Sequence, residues 1–78
     1  MVRRPFIRCL GEEVRERRKA LGLSQIALAH EADIHPNVVG RLERGDYNPT
    51  VSLLQLLIAP LQVELSQLIA GAERRRGP

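Results

Sequence analysis

Apolar residues recur three and four positions apart through the first half of the chain, in short runs broken by turn formers, and crowd together in the second half. At about 100° per residue, Leu10, Val14, Arg18 and Leu21 share one face. This predicts a first helix from just after Pro5 to about Leu21, closed by Gly22. Ser24 is a good amino-terminal cap for a second helix, Gln25 to Ala32, with Leu28, Ala29 and Ala32 on its inner side. Asp33 tolerates the left-handed backbone that ends a helix, and Ile34 follows as a buried plug. His35-Pro36 has the form of a helix start, since Pro is pre-set for the first helical position and keeps the preceding residue extended. A third helix over about 36–44 then stops at Gly45. Asp46-Tyr47-Asn48-Pro49 is a loop leading to Thr50, the cap of a fourth helix that Pro60 should end near Ala59, with Val51, Leu54, Leu57 and Ile58 facing the core. A fifth helix over about 64–70 completes an apolar hairpin. There is no strand-like alternation and no internal repeat, so the expected class is all-α. The expected division is a basic segment at 1–9, one domain at 10–70, and a loose basic tail at 71–78.

Composition narrows the functional classes. Seventy-eight residues, 44% hydrophobic and 27% charged, describe one globular domain and exclude a two-domain enzyme. A domain of this size buries only about 60% of its unfolded surface, so it gains from a staple or a second copy. The single cysteine, Cys9, closes no intrachain disulfide, and with His30 and His35 it has no familiar zinc spacing. A homodimer in a reducing compartment is therefore expected. No stretch has signal-peptide or membrane-helix character, so the expected location is cytoplasmic, without a membrane partner. Twelve basic side chains, eleven of them Arg, oppose nine acidic ones for a net charge of +3. A polyanion is the natural partner class. No nucleophile–base–orienter set, phosphate-cradling glycine loop or metal-ligand cluster is evident, so no catalysis, cofactor or metal is expected.

The third helix carries the sharpest signal. Val39, Leu42 and Glu43 fall on one side, and Asn37, Gly40, Arg41 and Arg44 on the other. The inner side contains a carboxylate, which must be paired if buried. Arg18 is the candidate, because it alone among the charges of the first helix repeats with the inward apolar positions. Small Ala29 lets the third helix cross close to the second, making a helix-turn-helix at about 25–44. The third helix, about 13 Å long, matches the ~12 Å width of a DNA major groove.

The residues Arg18, Gly22-Leu23-Ser24-Gln25, Leu28-Ala29, Val39, Arg41-Leu42-Glu43-Arg44-Gly45 and Asn48-Pro49, within a stretch from Leu10 to Ile69, resemble the Cro/repressor-type, or XRE-type, helix-turn-helix family. The resemblance implies a five-helix DNA-binding domain, usually a homodimer on a palindromic operator. Members of that family include phage repressors, restriction-modification controllers and antitoxins. It further implies that Pro36, Asn37, Val38 and Arg41 face base edges, with Asn37 suited to adenine, Arg41 to guanine and Val38 to a thymine methyl. Gln25, His35, Arg44, Tyr47 and Asn48 would hold the backbone, with His35 serving mainly as a cap. The sequence departs from the family pattern at Arg17, Pro36, Gly40 and Pro60, and Asp46 places an acid beside a phosphate site.

Leu53 and Leu56 are surplus to the expected core of the fourth helix and suggest an apolar stripe for a two-fold dimer interface, with Leu65, Leu68 and Ile69 contributing. The same apolar half could instead clasp a protein partner, as in an antitoxin whose DNA binding is secondary. An enzyme or metal sensor built around Cys9 and His30 is a third reading. The terminal clusters Arg3, Arg4, Arg8 and Arg74 to Arg76 read as solubilising tails or as non-specific phosphate contacts.

Overall fold

The computed structural model describes residues 3–77, in five helices with no strand among them. Helix α1, Phe6–Ala20, begins after Pro5 and turns out through Leu21 and Gly22, the latter at φ 74°. Helix α2, Gln25–Ala32, is capped by Ser24 Oγ, which accepts from the Ala27 N–H, and ends on left-handed Asp33. Helix α3, Pro36–Glu43, starts on His35, whose Nδ1 accepts from the Asn37 N–H at 3.0 Å. Helix α4, Val51–Leu61, is capped by Thr50 Oγ1, which accepts from the Leu53 N–H. Helix α5, Leu65–Arg76, opens with a capping box between Glu64 and Gln67.

The core is one cluster drawn from all five helices. Leu10 and Val14 of α1 meet Leu28 and Ala29 of α2, Val39 and Leu42 of α3, Leu54 and Leu57 of α4, and Leu68 and Ala72 of α5. Cys9 is fully buried in this cluster, and Ile34 packs against it from the α2–α3 turn. Helix α1 is the spine, lying against both α5 and α3, while α2 braces α3 and α4.

Several expectations from sequence fail here for identifiable reasons. Pro60 does not end α4, which runs on to Leu61 and stops at left-handed Gln62. Pro60 has no N–H to offer the Leu56 carbonyl, but burial of Leu61 in the core holds the last turn in place. The expected tail at 71–78 is helical through Arg76. Its Gly71 lies against Glu13 of α1, whose carboxylate accepts from Arg17 Nε at 2.7 Å and Arg75 Nε at 2.8 Å. Of the basic segment at 1–9, Met1 and Val2 lie outside the described residues, and the remainder is not separate: Phe6 to Cys9 form the first turn of α1, the Arg4 N–H donates to Arg76 O, and Arg76 Nε returns a bond to Arg4 O. Leu21 and Val51, placed on inward faces by periodicity, are exposed because each sits at the very end of its helix.

Candidate nucleic-acid interface

Helix α3 divides into a buried side and an open one. Val39 and Leu42 are fully buried and Glu43 nearly so, whereas Pro36, Asn37, Arg41 and Arg44 are exposed and Val38 is half-buried. Gly40 departs from the outward position read from periodicity. It lies on the boundary between faces, where the Gln25 amide and the Arg44 guanidinium cover it.

The inner side is fixed by charge as well as by packing. Arg18 Nε donates to Glu43 Oε2 at 2.7 Å and Arg18 Nη2 to Glu43 Oε1 at 2.9 Å, a bidentate pair. Arg18 Nη1 donates to Leu23 O at 2.8 Å, and Gln25 Nε2 donates to Glu43 Oε1 at 3.0 Å. One buried carboxylate thus joins α1, the entry to α2 and the carboxyl end of α3. Both oxygens of Glu43 are satisfied, and among the described residues no buried side-chain nitrogen or oxygen lacks a partner. The bond from Arg18 to Glu43 pushes the guanidinium above its ordinary pKa despite burial, so the charge persists at any accessible pH. Excellent geometry is what a buried ion pair needs to offset its desolvation.

The outer side is polar and partly pre-set. The Arg41 guanidinium lies over the Tyr47 ring, 5.5 Å from its centroid, and Nη2 donates to Asp46 O at 3.3 Å. Arg44 Nε is paired with Asp46 Oδ2 at 3.4 Å, so the acid expected to oppose phosphate binding is taken up by a neighbouring base. Tyr47 is half-buried against the core, and Asn48 is exposed. His35 spends Nδ1 on its cap, leaving Nε2 as the ring atom free to face outward.

Four of the terminal arginines are occupied. Arg4 pairs with Glu12, Arg3 and Arg76 with Glu73 at 3.3 Å each, and Arg75 with Glu13. Burial resists ionisation of Glu13, but the bonds from Arg75 and Arg17 outweigh it and hold the carboxyl below the ordinary range. The bond from Arg4 lowers Glu12 likewise. Of the basic terminal residues only Arg8 and Arg74 have no acidic partner among the described residues.

The expected dimer stripe is only partly present at the surface. Leu56 is 48% exposed and Leu53 half-buried, but Leu65 and Ile69 pack on the core and Leu68 is wholly inside it. Leu68 is therefore a core residue, removed from the interface by its position on the α5 face that meets the rest of the bundle. Val51, at 63%, joins Leu56 as exposed apolar surface on α4. Among the described residues no group of three or more His, Cys, Asp or Glu side chains could hold a metal, and no single helix is long and apolar enough to cross a membrane.

Residues 14–68 match the sequence pattern of the helix-turn-helix family. The chain belongs to that family. It is 28% identical over 60 residues to an immunity repressor protein of Bacillus phage phi105; the match covers 77% of this chain but only 42% of the repressor's length. Among solved structures, the restriction-modification controller protein C.AhdI from Aeromonas hydrophila shares 34% identity over 80% of this chain and 94% of its own, with a TM-score of 0.78. The clp gene regulator ClgR from Corynebacterium glutamicum superposes with a TM-score of 0.90 over 96% of both chains at 21% identity, a likeness of fold.

Proposed function

We propose that this chain is a cytoplasmic, sequence-specific double-stranded DNA-binding transcriptional regulator that acts as a homodimer on a two-fold operator, with half-sites about one helical turn, ~34 Å, apart. One observation carries the reading. Helix α3 is held on its inner side by Val39, Leu42 and the Arg18–Glu43 pair, and offers Pro36, Asn37, Val38 and Arg41 along its outer side. Asn37 is suited to the adenine edge, Arg41 to guanine and Val38 to a thymine methyl, while Pro36 fits by shape. Around them, Gln25, His35 through Nε2, Arg44 and Asn48 hold the sugar-phosphate backbone in this reading, with Tyr47 beneath Arg41. The repressor and the controller to which the chain is similar support a regulatory role. Exposed Leu56 with its neighbour Leu53 is the centre of the proposed dimer contact, and Leu65 and Ile69 lie at its edge.

The test is a selection from duplexes randomised over about two helical turns, followed by gel shifts of the enriched duplex between about 50 and 200 mM salt. The expected result is one two-fold sequence, steep loss of affinity with salt, and loss of discrimination in Asn37→Ala and Arg41→Ala. A chain that enriches no sequence, or whose binding ignores both substitutions, refutes the proposal and leaves the apolar α4 face as the site of a protein partner.

A further inference from the structure

Arg41 is the guanine reader in the proposed function, and the role of Tyr47 rests on that reading. An arginine side chain is long and freely rotating, and bidentate recognition of a base edge requires its planar fork to be held in one orientation. We infer that Tyr47 is a positioning residue for Arg41: its ring, and the loop that carries it, set the guanidinium before DNA arrives.

Two independent contacts support this. The guanidinium carbon sits 5.5 Å from the Tyr47 ring centroid, within cation–π range, and Nη2 donates to the Asp46 carbonyl at 3.3 Å. The support is itself fixed. Tyr47 packs half-buried against the core, and the Asp46 N–H donates to the Arg41 carbonyl at 2.9 Å, strapping the loop to the helix it serves. The charge most able to disturb the arrangement, the Asp46 carboxylate, is turned to Arg44. One of the five guanidinium N–H groups is spent on Asp46, and the rest stay available to a base. Ordering the side chain in the free protein removes part of the entropy that binding would otherwise cost. That benefit falls on discrimination at one base pair, whereas a tyrosine holding phosphate through its hydroxyl would strengthen binding to every sequence alike.

The experiment compares wild type, Tyr47→Phe and Tyr47→Leu on the duplex selected by the wild-type chain and on its single base-pair variants. Arg41→Ala identifies the pair that Arg41 reads, where wild type should discriminate by between about fivefold and 150-fold. Tyr47→Leu should reduce that ratio to within about threefold of unity and leave the ratio at the pair read by Asn37 unchanged; Tyr47→Phe should retain both. Each ratio is taken on one preparation, so a loss of folded fraction cancels. A second readout is the Arg41 side-chain proton resonances of the free protein, which the ring should shift upfield in wild type and Tyr47→Phe but not in Tyr47→Leu. Full discrimination at the Arg41 pair in Tyr47→Leu, or an equal loss on all duplexes, overturns the inference. So does a Tyr47→Phe variant that behaves like Tyr47→Leu, since that would assign the role to the hydroxyl. A wild-type chain that selects no duplex overturns the DNA reading, and this inference with it.

Discussion

Gly11 sits where α1 crosses the carboxyl end of α3. A Cβ built there would lie 2.9 Å from the Glu43 carbonyl oxygen and nearer still to that of Leu42. Both obstacles are backbone, so no rotamer change relieves the clash. Gly11→Ala must push the two helices apart by about 1 Å to recover ordinary contact distances. Against this, alanine in a helix is favoured over glycine by about 1 kcal/mol. Overpacking of a core typically costs about 1–3 kcal/mol, and a rigid obstacle belongs at the top of that range. The separation would also strain the Arg18–Glu43 pair, which spans the same two helices. The net expectation is a loss of about 2 kcal/mol. That is a large part of the roughly 4–12 kcal/mol a chain of this size holds. With a urea m-value of about 1 kcal/mol/M for so small a domain, the midpoint should fall by about 2 M at unchanged slope. A midpoint that holds steady, or rises by the propensity gain, would mean that α1 and α3 do not approach as described.

Glu43→Gln leaves the Arg18 guanidinium buried without its counter-charge and should cost at least about 2 kcal/mol, lowering the melting temperature by about 8 °C or more. An unchanged melting temperature contradicts the pairing, and the apolar double variant Arg18→Leu with Glu43→Leu should recover part of the loss. Glu13 has a folded pKa below its ordinary value of 4.5, so its stabilisation is present above that pH and is lost as pH falls through the lower folded value. Glu13→Gln should therefore be less stable near neutrality and show a shallower acid limb below about pH 4.5; parallel curves for the two proteins would refute this. If the proposed homodimer forms through α4, Leu56→Glu should sediment as a folded monomer where wild type sediments as a dimer, while Leu68→Ala should lose about 2–5 kcal/mol of stability from a core cavity. Leu56→Glu sedimenting as wild type would move the interface elsewhere.

The parts of the fold legible in one dimension are those decided locally. Ser24, Asp33, His35-Pro36 and Thr50 each act on a backbone group within four residues, and each cap stands where the chemistry of its side chain places it. The all-helical class and the two faces of α3 follow from periodicity for the same reason. Most of what escaped was decided by residues far apart in sequence. Gly71 and the arginines after it read as a tail because their partner, Glu13, lies 62 residues from Arg75. Leu68 read as a contributor to the dimer interface because its surroundings come from other helices. Tyr47 read as a backbone contact because nothing in the string shows that its ring lies under Arg41. Two distant constraints left a local trace: Arg18, whose place in the inward repeat of α1 pointed to Glu43 across 25 residues, and Gly11, since a glycine inside a helical pattern signals close approach.

The reciprocal bonds between Arg4 and Arg76 bring the two extremities of the fold to one spot. Any polypeptide continuing from either side departs from a common pole, so appended modules would share a single mounting point. A short linker could also join the extremities and allow the backbone to be cut open elsewhere, for instance at the turn around Gln62, with the bundle retaining its shape.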